Sequence, residues 1–386
     1  MYDTIIIGGG IAGLNCALHT KNHLLLECND YLGGRIFTHN EPKYESGAGR
    51  YNETHALLVS LIRRFHLTPI PLSKDKSFIY KTSCSVMIPD IDTYFNTKIK
   101  KVLKNGSRDE TFYKHCLRYY TKDEVDQLRY IFGYTSEFLE MNAHDAIRMF
   151  KKKIGRYYIL KEGFSELLRR MSQDIHYKMN HCVKSVHEEN GIFHVDQYSC
   201  KHVIFAIPPD NLKHISFLKP IFPLLKSLHT NCLLRIYAIY PNKWFEGLPT
   251  MTTNSFIRHI IPINPKTGLI MISYVEGQDA DVYVNSKGNL RENILPKIQA
   301  ELKLLFPNRE IVKPTYFQPV VWNIGDHAWK PGYNSDKVAK QLLNPMPHVY
   351  ICGEAISHTQ SWMEGALETS MEVLDMLERD RKKNKE

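Results

Sequence analysis

The sequence predicts an α/β protein, α+β over its whole length, whose dinucleotide-binding domain is assembled from separated segments. Three observations predict this. The chain opens on "TIIIGGGIAGL", where a short β-branched run breaks at glycines and resumes at helical spacing. It closes on "HVYICGE" and a long helical pattern, a second strand, turn and helix. Between them "CVKSVHEENGIFHVDQYSCKHVIFAIPP" alternates as a β-meander, with turns expected at Glu189–Gly191 and Gln197–Ser199. Both end units have the form found where a ligand meets the C-terminal ends of strands. A second domain must then be inserted between them in pieces.

The opening unit carries the most information. Thr4–Ile7 reads as a buried strand, and Gly8, Gly10 and Gly13 fit G-x-G-x-x-G. Ile11, Leu14, Ala17 and Leu18 recur at helical spacing, and His23–Leu26 reads as a second strand ending at Glu27. The acid stands about 20 residues beyond the first glycine, as a dinucleotide fingerprint requires. One glycine permits the tight turn, one lets backbone approach a pyrophosphate, and one lets helix pack on strand. The helix N-terminus presents free N–H groups to the phosphates. Glu27 would accept hydrogen bonds from the adenosine ribose. The motif alone does not separate NAD from FAD.

Further elements follow by pattern. Residues 55–65 read as a helix with Ala56, Leu57, Val59, Leu61 and Ile62 on its core side. Residues 76–153 lean helical, and "KEGFSELLRRMSQDI" is amphipathic. Residues 232–240 and 268–275 look like strands and 290–305 like a helix.

Composition sets bounds. At 386 residues with 43% apolar content the chain can bury two domain cores, and no apolar run approaches a membrane span. A strand starting almost at Met1 leaves no room for a targeting peptide, so a cytoplasmic location is expected. The eight cysteines, at 16, 28, 84, 116, 182, 200, 232 and 352, form no C-x-x-C pair and read as reduced thiols, with no metal site. The net charge of +9 reads as solvated surface, with no nucleic-acid motif beside it.

A second cluster, Gly33-Gly34-Arg35, and the terminal "GEAISHTQSWMEGALETS" join "GGGIAGL" in a set that resembles the flavin-containing amine oxidase family, which includes monoamine, polyamine and L-amino-acid oxidases. "ESGAGRY", "KEGFSELLRRM", "CVKSV" and "VIFAIPP" fall in the same order and spacing. The resemblance implies FAD in a discontinuous Rossmann-like domain, beside a substrate domain built on a mixed β-sheet. It implies residues 1–78, 154–228 and 320–386 for the FAD domain and 79–153 and 229–319 for the substrate domain. By motif, Gly8, Gly10 and Gly13 form the pyrophosphate turn and Glu27 meets the ribose. Gly34 and Arg35 give a second phosphate-side contact. Ala48, Gly49 and Arg50 pass beside the isoalloxazine. Val183 meets the adenine, and Gly353 and Glu354 meet the ribityl-phosphate chain. Met363 begins the last helix and turns its N–H toward the pyrimidine end of the flavin.

Two positions depart from the family pattern. Where many members hold a lysine and a water near flavin N5, this sequence has Arg235, which cannot readily deprotonate. Arg235 either binds water or an anionic substrate group, or is a surface residue of its strand. Trp362 matches one ring of the family's two-ring amine clamp, but the other ring falls on Gly325, with Trp322, Trp329 or Tyr333 as possible substitutes. No cysteine stands near Ile324, so FAD is expected to be non-covalent. The resemblance therefore implies an FAD-dependent oxidase of an amine or amino acid. Hydride passes from the amine α-carbon to flavin N5, the imine hydrolyses to an aldehyde or keto product, and O2 becomes H2O2. The alternatives are a related FAD-dependent C–C desaturase or isomerase, or a flavin-binding interaction protein without oxidase activity.

Overall fold

The strand Tyr2–Ile7 lies at the centre of the first sheet. The computed structural model, which describes residues 1–81, 86–284 and 290–383, pairs it in parallel with His23–Leu26 on one side and Tyr198–Phe205 on the other. Tyr177–Lys178 extends one edge, and Val349–Ile351 pairs in parallel with Tyr198–Phe205. Strands covered on both faces need continuous apolar runs. Ile5, Ile6, Leu24, Leu25, Val203 and Ile204 supply them and are fully buried. The expected meander forms as Val186–Glu189, Ile192–Val195 and Tyr198–Phe205, antiparallel in succession. Its first turn places Asn190 and Gly191 both at positive φ, the conformation a two-residue hairpin needs.

The second sheet runs in the order Tyr316–Trp329, Leu228–Ile239, Leu269–Glu276, His259–Asn264, Thr250–Thr253, Lys76–Tyr80, Val86–Pro89. It is mixed, because Thr250–Thr253 pairs in parallel with Lys76–Tyr80 while the other neighbours are antiparallel. Helices between Ile91 and Lys151 pack at one end around Phe112, Phe138 and Ile131. The boundaries expected at 78 and 320 both fall inside strands of this second sheet. No glycine- or proline-rich linker marks either crossing, so composition held no signal for them.

The helix expected at 55–65 spans Ala56–Arg64, but Leu58, Leu61 and Ile62 form its buried face and Ala56 is exposed. Glu364 explains part of this turn of the helix: its carboxylate accepts the Leu57 and Leu58 N–H groups, both at 2.9 Å. The N-terminus is thus anchored to the last helix, Met363–Lys383. Among the described residues no helix is long and apolar enough to cross a membrane. Cys84 lies outside the described residues.

The first helix, Ile11–Leu18, sits unusually close to the strand before it. A Cβ on Gly13 would come within 2.0 Å of the Gly8 carbonyl oxygen. This is the packing role the fingerprint assigns to the third glycine. Gly13→Ala should therefore force helix and strand apart and cost about 1–3 kcal/mol. A lowered thermal midpoint together with reduced flavin content would show this, whereas wild-type values of both would contradict the close packing.

Candidate functional site

Four of the five parallel strands of the first sheet end at one cavity. Ile7, Leu26, Ala206 and Gly353, at or just past those ends, line a space of about 1330 Å³ that reaches across to the second sheet. At one end stand Glu27 and Val183, and at the other Arg235 and Trp362. Gly8, Gly10, Gly34, Arg35, Ala48, Gly49, Arg50, Gly353, Glu354 and Met363 also line it. Among the site residues expected from the sequence only Gly13 does not, and its place is the helix–strand contact.

The opening turn is built to face a ligand with backbone. A Cβ on Gly10 would meet no atom within 4 Å, so this position opens onto the cavity. No side chain caps the helix that follows, and its first N–H groups face the same space. Glu27 is buried and already holds this turn in shape. Its Oε2 accepts the Gly9 N–H at 2.6 Å, and its Oε1 accepts from the Asn29 N–H and Nδ2 at 2.8 and 2.7 Å.

The two glycine motifs meet through charge. Arg35 Nη1 donates to Glu354 Oε1 at 2.7 Å and to the Gly325 carbonyl at 3.0 Å. His327 Nδ1 lies 2.5 Å from the same Glu354 oxygen, and Ser361 N–H donates to Oε2 at 2.9 Å. Burial alone would raise the Glu354 pKa. Arg35, His327 and these hydrogen bonds outweigh it and hold the carboxyl at about 2. Gly353 beside it has φ +144°, and a Cβ there would meet nothing within 4 Å. An uncapped helix start, two open glycines and a fixed ion pair fit a dinucleotide cofactor.

At the other end the segment 45–50 crosses in front of the second sheet. Ala48 N–H donates to the Arg35 carbonyl at 3.0 Å. Arg235 is buried, and its Nη1 donates to the Glu45 carbonyl at 3.0 Å and to the Gly47 carbonyl. Its guanidinium lies 4.5 Å from the Tyr274 ring centroid. Burial opposes its charge, but Tyr274 and Tyr237 more than offset this, and its pKa lies above the ordinary arginine value. Arg235 is therefore a buried, permanently charged residue facing the cavity, not a surface residue. Trp362 stacks on Tyr157 at 5.9 Å and meets the edge of His55 at 5.0 Å. Arg50 lies over both indole and Tyr157, and its Nη2 donates to the Tyr134 hydroxyl at 2.5 Å.

The chain is similar to known proteins in sequence and in fold. The family model for flavin containing amine oxidoreductase matches residues 11–373. The chain belongs to that family. It is a flavin-dependent oxidoreductase of the amine oxidase kind. Flavin-containing amine oxidase A of Canis lupus familiaris is 20% identical over 98% of this chain and 86% of its own length. Among solved structures, a triple mutant of putrescine oxidase superposes with a TM-score of 0.81 at 15% identity, covering 98% of this chain and 99% of that one. Cyclohexylamine oxidase from Brevibacterium oxydans IH-35A gives 0.79 at 17% identity, covering 99% of each chain.

Within this family member Gly325 has a structural reason. A Cβ there would come within 2.5 Å of the Leu233 Cβ on the neighbouring strand. Leu233 lines the cavity instead. Of the proposed substitutes, Trp322 lines the cavity and donates its Nε1–H to the Ser46 carbonyl at 2.8 Å. Trp329 is buried and bonded to the Ser357 carbonyl at 2.9 Å, and neither it nor Tyr333 lines the cavity. Sequence reasoning missed Tyr134, Tyr157 and Tyr274, which do line it.

It also missed three buried carboxyls. Glu137, Glu276 and Asp326 meet at the cavity wall. Ser136 Oγ lies 2.5 Å from Glu276 Oε1 and 3.1 Å from Glu137 Oε2, and Asn231 Nδ2 donates to Asp326 Oδ1 at 2.7 Å. Burial first, then the neighbouring acids, push Glu137 to about 7, Glu276 to about 8 and Asp326 well above the carboxylate range. Each binds its proton more tightly folded than unfolded. Their contribution to stability therefore falls as pH rises from the ordinary carboxylate range to about 8. Glu276→Gln mimics the protonated acid, so its thermal midpoint should decline less than wild type between mildly acidic and mildly alkaline pH. Parallel declines in the two proteins would show that Glu276 does not titrate in that window.

Proposed function

We propose that this protein is an FAD-dependent oxidase of an amine or amino acid, with the FAD held non-covalently. The observation that carries the proposal is the single cavity that joins a dinucleotide turn to an aromatic chamber containing a buried guanidinium. Gly8 and Gly10, with the first helix N-terminus, would hold the pyrophosphate, and Arg35 would offset its charge. Glu27 and Val183 would hold the adenosine, and Gly34, Gly353 and Glu354 the chain between the two ends. Ala48, Gly49 and Arg50 would flank the ring system, with Met363 N–H at its pyrimidine edge. Bound there, FAD would supply the hydride acceptor for the substrate α-carbon and the reductant for O2, with H2O2 as the product.

The protein groups position and desolvate. Trp362, Tyr157 and Tyr274 give the substrate apolar walls and exclude water. Leu233 stands where a second clamp ring would project, so the substrate amine is held against one indole. Arg235 keeps a fixed positive charge beside the chamber, which disfavours a protonated amine and so favours the unprotonated form that can give up hydride. The same charge favours negative charge on the reduced cofactor. Arg50, half-buried at the indole, supplies a cation for a substrate carboxylate, and this favours an amino acid over a simple amine. The product imine is hydrolysed by water.

Three measurements bear on this. Peroxide release across a panel of amines and amino acids tests the reaction itself, and its absence throughout would favour C–C chemistry or a binding role. Acid precipitation should leave all flavin in the supernatant, since no cysteine stands near Ile324; flavin in the pellet would contradict non-covalent binding. Trp362→Ala should raise KM or lower kcat without loss of FAD. Arg235→Lys should change the rate of flavin reduction or reoxidation more than FAD affinity. Stopped-flow analysis of both half-reactions separates these, and wild-type behaviour in both variants would mean that the two residues are only structural.

A further inference from the structure

Two cysteines stand at the adenosine end of the cavity. Cys28 and Cys182 are both exposed and both line it. The backbone brings their segments together. Glu27 N–H donates to the Lys178 carbonyl at 2.9 Å, His181 N–H to the Glu27 carbonyl at 2.8 Å, and Asn180 N–H to the Asn29 carbonyl at 2.9 Å. Cys28 is thus enclosed between two residues bonded to the partner segment, and Cys182 directly follows the residue bonded to Glu27. These bonds set the two cysteines on adjoining segments of the cavity wall. Another described pair, Cys16 and Cys352, has its sulfurs 3.9 Å apart but is buried. Cys116 and Cys200 are buried.

We infer that Cys28 and Cys182 are a peroxide-reactive thiol pair that closes to a reversible disulfide across the adenosine end of the flavin cavity. One thiol attacks a peroxide oxygen, the O–O bond breaks, and a sulfenic acid and one water form. The second thiol attacks the sulfenic sulfur, the S–S bond forms, and a second water leaves. The two thiols lose two electrons and two protons in all, and the peroxide is reduced to two waters. Cys182 beside it, then burial and the Glu27 charge, push the Cys28 thiol up to about 11. Either thiol makes the first attack, and the other resolves. The bond links the segment carrying Glu27 to the segment carrying Val183. It adds a covalent tie between two neighbouring walls of the adenosine end, so it slows flavin loss. The pairing stands on the geometry alone; that turnover itself supplies the peroxide rests on the proposed oxidase activity.

The test uses reduced, desalted holoprotein treated with hydrogen peroxide in the absence of any amine. Peptide mapping should recover a Cys28–Cys182 cross-linked pair lighter by two hydrogens, removed by dithiothreitol and absent from Cys28→Ser and Cys182→Ser. Flavin release on dilution, read by fluorescence, should slow several-fold after oxidation and recover after dithiothreitol. Neither change should appear in Cys28→Ser. Conversion of either thiol to sulfinic acid without a cross-link would overturn the pairing. A cross-link with unchanged flavin release would overturn the staple. A cross-link with added peroxide but none during amine turnover would count against the oxidase reading and leave the thiol pair standing.

Discussion

The ion pair between Arg35 and Glu354 ties the two ends of the chain into one site. Arg35 follows the second glycine cluster and Glu354 follows the last strand of the first sheet, 319 residues later. Neither group is stable in this position alone. A buried carboxylate without its guanidinium would take up a proton, and Arg35 would lose the partner that orients it toward the cavity. His327 and the Ser361 N–H complete the anchoring of Glu354. Arg35 also binds the Gly325 carbonyl, so the same pair fixes the strand that crosses from the second sheet into the cavity. The two ends of the cavity therefore share one rigid join.

From that join the two sheets do different jobs. Four of the five parallel strands of the first end at the cavity, and its glycines and helix N-terminus present backbone there. The second supplies side chains along strands held in fixed register. Arg235 pairs with Tyr274, Leu233 with both Glu276 and Trp322, and Asn231 with Asp326. This register places a fixed cation, an aromatic wall and a proton-holding carboxyl cluster within one chamber. Two guanidiniums, those of Arg50 and Arg235, keep their charge there, while the three acids are held toward their neutral forms. The chamber is accordingly more cationic than a count of its residues gives.

What the sequence revealed depended on whether the signal was local. The glycine turn, the helix that follows and the acid at the next strand end lie within one short segment, and each has its own residue pattern. The start of the last helix at Met363 was legible for the same reason. Glu137, Glu276 and Asp326 come from three distant segments, and each alone reads as an ordinary polar residue. Only strand register brings them together. Leu58 in place of Ala56 on the core face depends on how Glu364, far along the chain, anchors that helix. Gly325 was visible as a departure, but its cause, Leu233 on the adjacent strand, was not. The approach of the Cys28 and Cys182 segments is likewise a product of backbone pairing between residues 154 apart in the chain.

The most direct test of this account is a crystal structure of the protein with bound FAD. The account predicts the isoalloxazine ring lying along Ala48–Arg50, with Met363 N–H at its pyrimidine edge, Arg235 beside N5 and Trp362 over the open face. A ring seated elsewhere in the cavity, with Arg235 and Trp362 both out of contact with it, would contradict the account.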